Sequence, residues 1–584
     1  MKENIPFVGL HAHSAAGSVF DGFGFPQAHM DFAYNNGMDA LALTDHGNMN
    51  GLSYQILHAQ KMKAEGKNFK PIFGVEAYFV PSVNEWKREY DRVREDKKAA
   101  KQLSKSASGV VAEAEGESKR AVNNILNRRR HLILLATSQT GLNNLFSMIS
   151  QSFQGDHFYR YPRVDYKLLK KYNEGVIAAS ACLGGVYAGD FWENRDAGED
   201  AILDAMRDTT LNMIDVFGTD RWFGELQWNN VPEQHRLNKL IIQMHQEHGI
   251  GLISTADSHY PSKDAWKDRE LYKRLGWLGK STQRPDYLSD ELPVDVDEIG
   301  YELYPKNGEE MWQAYKKYSA EVGHTYDDDL IMKSITNTHR IAHEVIEDFM
   351  PDTKVRLPDF VVPEGSTSTG ALTKMCVEGL KLKGLTETDY VERLKQELTV
   401  IDDRGFSKYF LTMAAVANRA NETMLAGPGR GSAAGSLVAY VLGVTQVDPI
   451  KYNLLFSRFL RSDASDYPDI DYDVSDPMTL KEDLIEKWGQ NNVVPISNFN
   501  TLQLRSLIKD ISKFYGVSFT EVNEVTSKML REATPAAKKK HGIKSGVYTP
   551  TFEEVMTYSA SLAKFLAKYP KIKDHIEAIH GSPR

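Results

Sequence analysis

Cysteine is nearly absent from this chain, which has two among its 584 residues. That scarcity excludes a disulfide-stabilised scaffold and favours a reducing compartment. Long apolar runs are missing as well, since none approaches the roughly twenty residues that a membrane-spanning helix needs. Residues 1–4 lead directly into an apolar run, without a signal-peptide pattern. We therefore expect a soluble, cytoplasmic protein with no membrane partner and, from its length, about three or four domains.

An excess of positive charge is also lacking, because the net charge is −9. This does not exclude a nucleic-acid partner, since a basic face can lie on an acidic body. Residues 475–584 hold 16 Lys and Arg against 12 Asp and Glu, so the rest of the chain carries −13. The pattern predicts a helical, basic surface that follows duplex phosphates. For Lys538–Lys540 a solvated lysine loop fits equally well.

The first half of the chain contains six short apolar runs, each with a potential metal ligand at one end. They occupy residues 7–13, 41–47, 72–76, 131–135, 176–182 and 252–259. In a barrel of parallel strands and helices, such ligands converge at the C-terminal ends of the strands. Residues two apart on a strand point to the same side, so His11 with His13, and Asp257 with His259, can reach one ion. Asp21 would join them from a turn.

His131 is the exception, because it precedes its apolar run. We predict that it comes from an antiparallel strand or from the other end of its strand. Taken singly, each histidine could be a core or helix-capping residue, and Cys182 a small buried one. Taken together, their positions at strand ends favour a site, and imidazole, carboxylate and thiolate suit zinc, manganese or iron. Two or three such ions would support phosphoester hydrolysis.

At these positions the chain resembles the PHP domain, a family found in polymerases and histidinol phosphatases. The resemblance implies a Zn²⁺ or Mn²⁺/Fe²⁺ cluster and, in polymerases of this type, 3′–5′ exonuclease activity. The nine implied ligands, of which none is missing, are His11, His13, Asp21, His46, Glu76, His131, Cys182, Asp257 and His259.

A second informative segment is rich in glycine and covers residues 426–436, directly before an apolar stretch. Glycine lets the backbone approach an anion closely, and the N-terminus of a following helix presents unpaired N–H groups. The segment therefore predicts a phosphate-binding loop, with a plain turn as the alternative. It is not a Walker sequence, because no Gly-Lys-Ser/Thr follows.

Three carboxylates, Asp469, Asp471 and Asp473, follow at alternate positions within residues 467–474. On a strand they would share one face, where their mutual repulsion is best relieved by a divalent metal. Magnesium with few protein carboxylates and substrate phosphates is typical of nucleotidyl transfer. The alternative is a solvated acidic edge strand.

Together with residues 447–449 and 454–460, these motifs resemble the palm of family C, the bacterial replicative DNA polymerases. The resemblance implies that Asp471 and Asp473 bind catalytic Mg²⁺, with Asp469 in a structural or supporting position. It also implies nucleotide binding by Arg430, Gly431, Ser432 and Arg458.

We therefore predict an α/β multidomain protein. Residues 1–270 form a PHP-type β/α barrel, residues 271–474 a partial, mixed α/β palm, and residues 475–584 a mostly helical thumb. An insertion at about 84–130 should lie at the rim of the metal site, with Arg128–Arg130 nearest the pocket. Either it acts as a lid or DNA-guiding arm, or it is a mobile surface excursion.

The family's third catalytic aspartate finds no match, because the nearest candidate, Asp510, lies in a helical pattern. The family's fingers, clamp-binding region and OB domain find no match either. We expect the chain to extend a DNA primer–template with dNTPs only when a separate chain supplies the remaining palm and the fingers. A sliding clamp would bind through that second chain. The alternatives are a stand-alone PHP-type exonuclease or phosphoesterase, and a non-catalytic scaffold for a partner polymerase.

Overall fold

The computed structural model describes residues 5–104, 125–278, 300–463, 465, 467–496, 498–544, 546 and 548–584. The chain divides into one unit made of Met1–Pro351 with Phe499–Arg584, and a second unit, Asp352–Asn498. The predicted α/β class is confirmed. The predicted domain boundaries stay predictions, and residues 105–124 of the predicted insertion lie outside the described residues. Within the described part, no helix is both long and apolar enough to cross a bilayer.

All eight strands of the described residues belong to the first unit. They are β1 Ala40–Leu43, β2 Lys70–Phe79, β3 Arg130–Ala136, β4 Phe158–Tyr159, β5 Tyr161–Pro162, β6 Val176–Ala179, β7 Trp222–Gln227 and β8 Gly251–Thr255.

Six of these strands form one sheet in the order β1-β2-β3-β6-β7-β8, while β4 and β5 form a hairpin. Only β3 runs against its neighbours, because it pairs antiparallel with β2 and β6. The first apolar run forms isolated parallel bridges, from Gly9 to Leu41 at one sheet edge and from Ala12 to Ser258 beyond the other. The chain thereby closes the sheet into a barrel, whose interior is filled by apolar residues such as Leu10, Ile133 and Ile253.

Helices cover the outside of the barrel, so its strands are buried on both faces. In the first unit the described helices are α1 Pro26–Asn35, α2 Leu52–Ala64, α3 Val83–Ser104, α4 Gln139–Ser152, α5 Tyr166–Lys171, α6 Val186–Asn194, α7 Glu199–Phe217, α8 Pro232–His248, α9 Trp266–Leu275, α10 Gly308–Val322 and α11 Asp328–Arg340. A π-helical turn, Ile341–Val345, follows α11.

In the described residues of the second unit, the regular elements are α-helices and two short 3₁₀ turns. Its helices are α12 Ser368–Leu382, α13 Thr388–Asp403, α14 Ser407–Thr423, α15 Leu437–Val441 and α16 Pro477–Trp488. The strand predicted through the three aspartates is not formed, since residues 467–473 belong to no regular element and only Val474 makes a bridge, to Ala426. The physical reason is that aspartate is unfavourable in strands and that the described residues of this unit contain no strand with which this segment could pair.

The C-terminal residues return to the first unit as five helices. They are α17 Leu504–Phe514, α18 Phe519–Lys540, α19 Phe552–Tyr558, α20 Ala560–Lys568 and α21 Pro570–Ile579. Their apolar faces share a core with Phe23 and with Trp266 and Tyr272 of α9. The hydroxyl of Tyr272 donates to the carbonyl of Pro583 at 2.7 Å, and His575 hydrogen-bonds Asp268 at 2.8 Å.

Candidate metal centre and glycine-rich loop

The predicted ligands meet at one mouth of the barrel. Within the described residues, three overlapping groups of side chains in this region have ligand atoms within 4.8 Å of one another. These groups use seven of the nine predicted ligands: His11, His13, His46, Glu76, His131, Asp257 and His259. Asp21 and Cys182 lie at the edge of the cluster.

His11 lies at the centre of this arrangement and is buried. Its Nε2 is 2.9 Å from Nε2 of His13, 2.9 Å from Oε2 of Glu76 and 3.0 Å from Oδ1 of Asp257. Burial alone would lower the pKa of His11, but the charges of Asp257 and Glu225 outweigh it and raise that pKa well above its usual value. The carboxylates that favour a proton here would equally favour a divalent cation.

Glu225 on β7 is a functional residue that the sequence analysis missed. Its Oε1 lies 2.7 Å from Nδ1 of His11 and also accepts from Thr255 and Gln227. Since a carboxylate can only accept, Nδ1 of His11 must donate, which turns Nε2 toward the cluster. Such support of a metal-binding histidine is typical of metal sites.

Glu76 connects two sides of the cluster. Its Oε1 lies 2.8 Å from Nδ1 of His46 and 2.6 Å from Nδ1 of His131. Burial would raise the pKa of Glu76, but His131 and His46 hold it well below its usual range. Of the two origins predicted for His131, the structure shows the antiparallel strand, because β3 runs against β2 and places His131 opposite Tyr78.

Backbone strain is concentrated at these residues. Asp257 has a φ of +48°, and Phe20 and Ala181, which adjoin Asp21 and Cys182, have φ values of +62° and +59°. Residues other than glycine adopt this conformation at a cost, and it recurs at functional sites. The buried Oδ1 of Asp257 has no well-aligned hydrogen-bond donor in the described part of the chain. An ion shared with His11 and His13 would satisfy it.

Asp21, His259 and Cys182 complete the predicted set. Oδ2 of Asp21 is 3.1 Å from Nε2 of His46, and its Oδ1 accepts from Nη2 of Arg269 on α9 at 2.6 Å. Burial opposes ionisation of Asp21, yet Arg269 holds its pKa well below the usual range. Burial lowers the pKa of His259 to about 3, which keeps it in the neutral form that binds metals.

Cys182 contacts the cluster through one residue, since its Sγ lies 3.6 Å from Nδ1 of His131. Burial, followed by the charges of Asp257 and Glu76, raises its pKa well above the usual value. The thiol would therefore ionise only with a cation beside it. Taken as a whole, the set of nitrogen, oxygen and sulfur donors fits a cluster of divalent ions.

The glycine-rich loop and the aspartates meet in the second unit. Gly431 has a φ of +67°, and a Cβ there would lie 2.5 Å from Oδ2 of Asp471. The amide of Gly427 donates to the carbonyl of Asp473 at 2.8 Å. Nη1 of Arg430 lies 3.2 Å from Oδ1 of Asp473. The structure therefore brings together four of the residues predicted for the palm site, Arg430, Gly431, Asp471 and Asp473.

The three other predicted residues form no side-chain hydrogen bond or ion pair with these four in the described part of the unit. Ser432 begins a 3₁₀ turn, Ser432–Gly435, and Arg458 ends another, Phe456–Arg458. Arg458 and Asp469 are exposed. Asp471 and Asp473 belong to no group of three candidate metal ligands among the described residues.

Glu397 on α13 is the second residue that sequence reasoning missed. It is fully buried and accepts from the amides of Leu437 and Val438 at 2.9 and 3.0 Å and from the hydroxyl of Ser436 at 2.9 Å. Burial raises its pKa, while those amides and Arg393 partly offset the shift. Glu397 therefore fixes the start of α15, where the loop ends. A lone acidic residue in an amphipathic helix gives no signal of this role.

Comparisons with known proteins identify two families along the chain. Residues 9–229 match the PHP domain, and residues 370–583 match the bacterial DNA polymerase III alpha NTPase domain. A DNA polymerase III subunit alpha from Aquifex aeolicus is 31% identical over 89% of this chain and 40% of its own length. One from Saccharopolyspora erythraea is 29% identical over 99% of this chain and 44% of its own length.

The chain therefore spans about two fifths of the length of these curated relatives. Among solved structures, an amidohydrolase from Chromobacterium violaceum with bound sulfate aligns with 45% of this chain and 96% of its own, at 15% identity and a TM-score of 0.23.

Proposed function

Because the chain belongs to the family of bacterial DNA polymerase III alpha subunits, we propose that it is the N-terminal part of a template-directed DNA polymerase. In this proposal a separate chain supplies the remaining palm and the fingers, and through them the contact with a sliding clamp. The substrates are dNTPs and a DNA primer–template. The observation that carries the proposal is the close approach of Gly431 to Asp471, because it would place a phosphate-binding loop beside a catalytic carboxylate.

In the palm site we assign metal binding to Asp471 and Asp473 and triphosphate binding to Arg430, Gly431 and Ser432. Bound Mg²⁺ would activate the primer hydroxyl and steady the leaving oxygen. The positive φ of Gly431 lets the backbone approach the phosphates without a side chain in the way. Arg458, which is exposed, would then face the incoming nucleotide.

At the barrel mouth we propose a second activity, removal of a 3′-terminal nucleotide. The nine clustered residues would hold Zn²⁺, Mn²⁺ or Fe²⁺, which would supply hydroxide and neutralise the scissile phosphate. Glu225 orients His11, Arg269 orients Asp21, and Glu76 joins His46 to His131. The near-complete burial of His11, His13 and Glu76 means that their ligand atoms are aimed before any ion arrives.

Both activities are tested by one assay on the purified chain. A labelled primer–template is incubated with Mg²⁺ or Mn²⁺ and dNTPs, with and without the protein encoded next to this chain. We expect primer extension only with the second protein, and primer shortening with this chain alone. Degradation without extension in both mixtures would instead identify a stand-alone exonuclease. If neither extension nor degradation is observed, the non-catalytic scaffold is the alternative that remains.

Substitution of Glu225 tests how the metal centre is supported. Glu225→Gln keeps the shape but replaces the acceptor at Nδ1 of His11 with an amide that can also donate. We expect metal affinity to fall by about 10- to 100-fold, because His11 would lose its fixed tautomer. Titration of the metal-free protein with Zn²⁺ measures this change. Unchanged affinity in a folded variant would contradict the assigned role.

A further inference from the structure

Three consecutive arginines, Arg128–Arg130, lead into β3, and the structure gives them different surroundings. Arg128 pairs with Glu89 at 2.6 Å, and Arg130 pairs with Asp190 at 2.7 Å and with Glu193 at 2.9 Å. Arg129 lies between them and pairs with no carboxylate among the described residues. Its Nη1 donates to the carbonyl of Asn127 at 3.0 Å, while its buried Nε has no acceptor there.

Two tyrosine rings hold the guanidinium of Arg129. Its central carbon lies 3.9 Å from the ring centroid of Tyr161 and 4.8 Å from that of Tyr78. Tyr161 in turn packs edge-on against Tyr78, with centroids 5.7 Å apart. A cation between aromatic rings is positioned without being neutralised, so its charge remains available to an anion.

The same rings connect Arg129 to the metal centre. Tyr78 lies two residues after Glu76 on β2, so the two side chains share a face of the strand. The ring of Tyr78 stacks parallel to His46, at 6.3 Å and 18°, and lies 5.7 Å from His131. The aromatic surface therefore runs without a break from two predicted metal ligands to Arg129.

A second arginine, Arg163, lies behind this surface over the ring of Trp86 and forms an ion pair with no carboxylate of the described residues. Arg163 is fully buried and donates to the carbonyls of Leu126, Tyr159 and Tyr161 at 2.6 to 3.1 Å. Burial, followed by the charge of Arg129, lowers its pKa to about 10. Two guanidinium groups that pair with no described carboxylate leave excess positive charge, which an anionic ligand would offset. The backbone beside this surface is strained as well, because Arg160, which precedes Tyr161, has a φ of +60°.

We propose that Arg129, Tyr78 and Tyr161 bind the single-stranded 3′ end of DNA and lead it to the metal centre. Stacked aromatic rings with an interleaved arginine suit a polynucleotide, because every base has a π-face and every linkage carries a negative charge. In this site Arg129 binds the phosphate adjoining the scissile one, and the tyrosines stack on a base. Arg163 is a positioning residue that fixes the backbone on which Tyr161 stands. This inference rests on the exonuclease part of the proposed function.

Binding is measured first, so that no catalysis is required. Fluorescence anisotropy follows a short oligothymidylate with phosphorothioate linkages at its 3′ end, over a series of salt concentrations. For Arg129→Met we expect about tenfold weaker binding. The slope of log affinity against log salt should fall by about 0.7, as for one lost phosphate contact on a single strand. Arg129→Lys should keep most of the slope, because it keeps the charge.

Arg128→Met is the matched control, since it removes the neighbouring arginine, which is paired with Glu89. It should bind like the unaltered chain. Equal binding by Arg129→Met and Arg128→Met would overturn the proposed site. No binding by the unaltered chain would instead count against the exonuclease function itself, so the two failures can be told apart.

Photocrosslinking then locates the strand. An oligothymidylate with 5-iododeoxyuridine at its 3′ terminus is irradiated with the metal-free chain, and the crosslinked peptide is identified by mass spectrometry. We expect the label on Tyr78 or Tyr161, with at least a tenfold lower yield in Arg129→Met. Crosslinks confined to the C-terminal helices would overturn the assignment.

Discussion

Replacing Asp257 with asparagine should strip the barrel mouth of its bound metal and reduce 3′-terminal hydrolysis by about a thousandfold or more. The Oδ1 atom of Asp257 lies 3.0 Å from Nε2 of His11 and 3.2 Å from Nε2 of His13. An amide at this place removes a negative charge and directs hydrogens or a neutral oxygen at the imidazoles. Elemental analysis of the purified variant, together with release of labelled terminal nucleotide, measures both effects.

The matched control for this prediction is Glu247→Gln. Glu247 lies in the same unit, where its carboxylate pairs with Arg207 at 2.7 Å. Its loss should leave metal content and hydrolysis unchanged. A full complement of metal in Asp257→Asn would refute the cluster as drawn. Loss of metal with hydrolysis retained would separate the activity from the ions.

The double substitution Asp471→Asn with Asp473→Asn should lower the rate of nucleotide incorporation by the reconstituted polymerase by about a thousandfold or more. Both side chains are exposed beside the glycine-rich loop, so the change alters charge without disturbing a core. Single-nucleotide incorporation in the presence of the partner chain provides the rate. The same variant should keep the metal content of the barrel mouth.

Asp483→Asn serves as the control, because Asp483 is in the same unit and pairs with Arg419 at 2.9 Å. It should incorporate nucleotides normally. If the double variant still incorporated nucleotides, the palm assignment would be wrong, regardless of the metal content of the barrel mouth. Metal content and nucleotide incorporation are measured separately, so a negative result for one site does not contradict the assignment of the other.

The clustering of the candidate metal ligands could be predicted from sequence because they adjoin short apolar runs, and strand polarity determines at which end of the sheet those runs finish. Even the reversed position of His131 within its run carried information, since it marked the antiparallel strand. Glu225 could not be found in this way, because it lies inside the buried run Trp222–Gln227 rather than at its end. Its role is visible only once His11 is placed beside it.

The second unit was less predictable. Alternating aspartates at 469, 471 and 473 indicate a strand only if another strand is present to pair with them, and pairing is a property of the fold. In this unit Glu397 contacts Leu437, and in the first unit Arg269 contacts Asp21, in each case across a long separation in sequence. Contacts at such separations leave no local periodicity that a sequence pattern can report.

The return of the C-terminal helices to the first unit has a consequence for biosynthesis. Arg269, which holds Asp21, stands on α9, and the apolar side of α9 is covered by α17 and α21. A ribosome releases these covering helices long after α9 and after the whole of the intervening second unit. During synthesis the apolar side of α9 therefore stays exposed until these helices are made, and exposed apolar surface of this kind is what chaperones recognise.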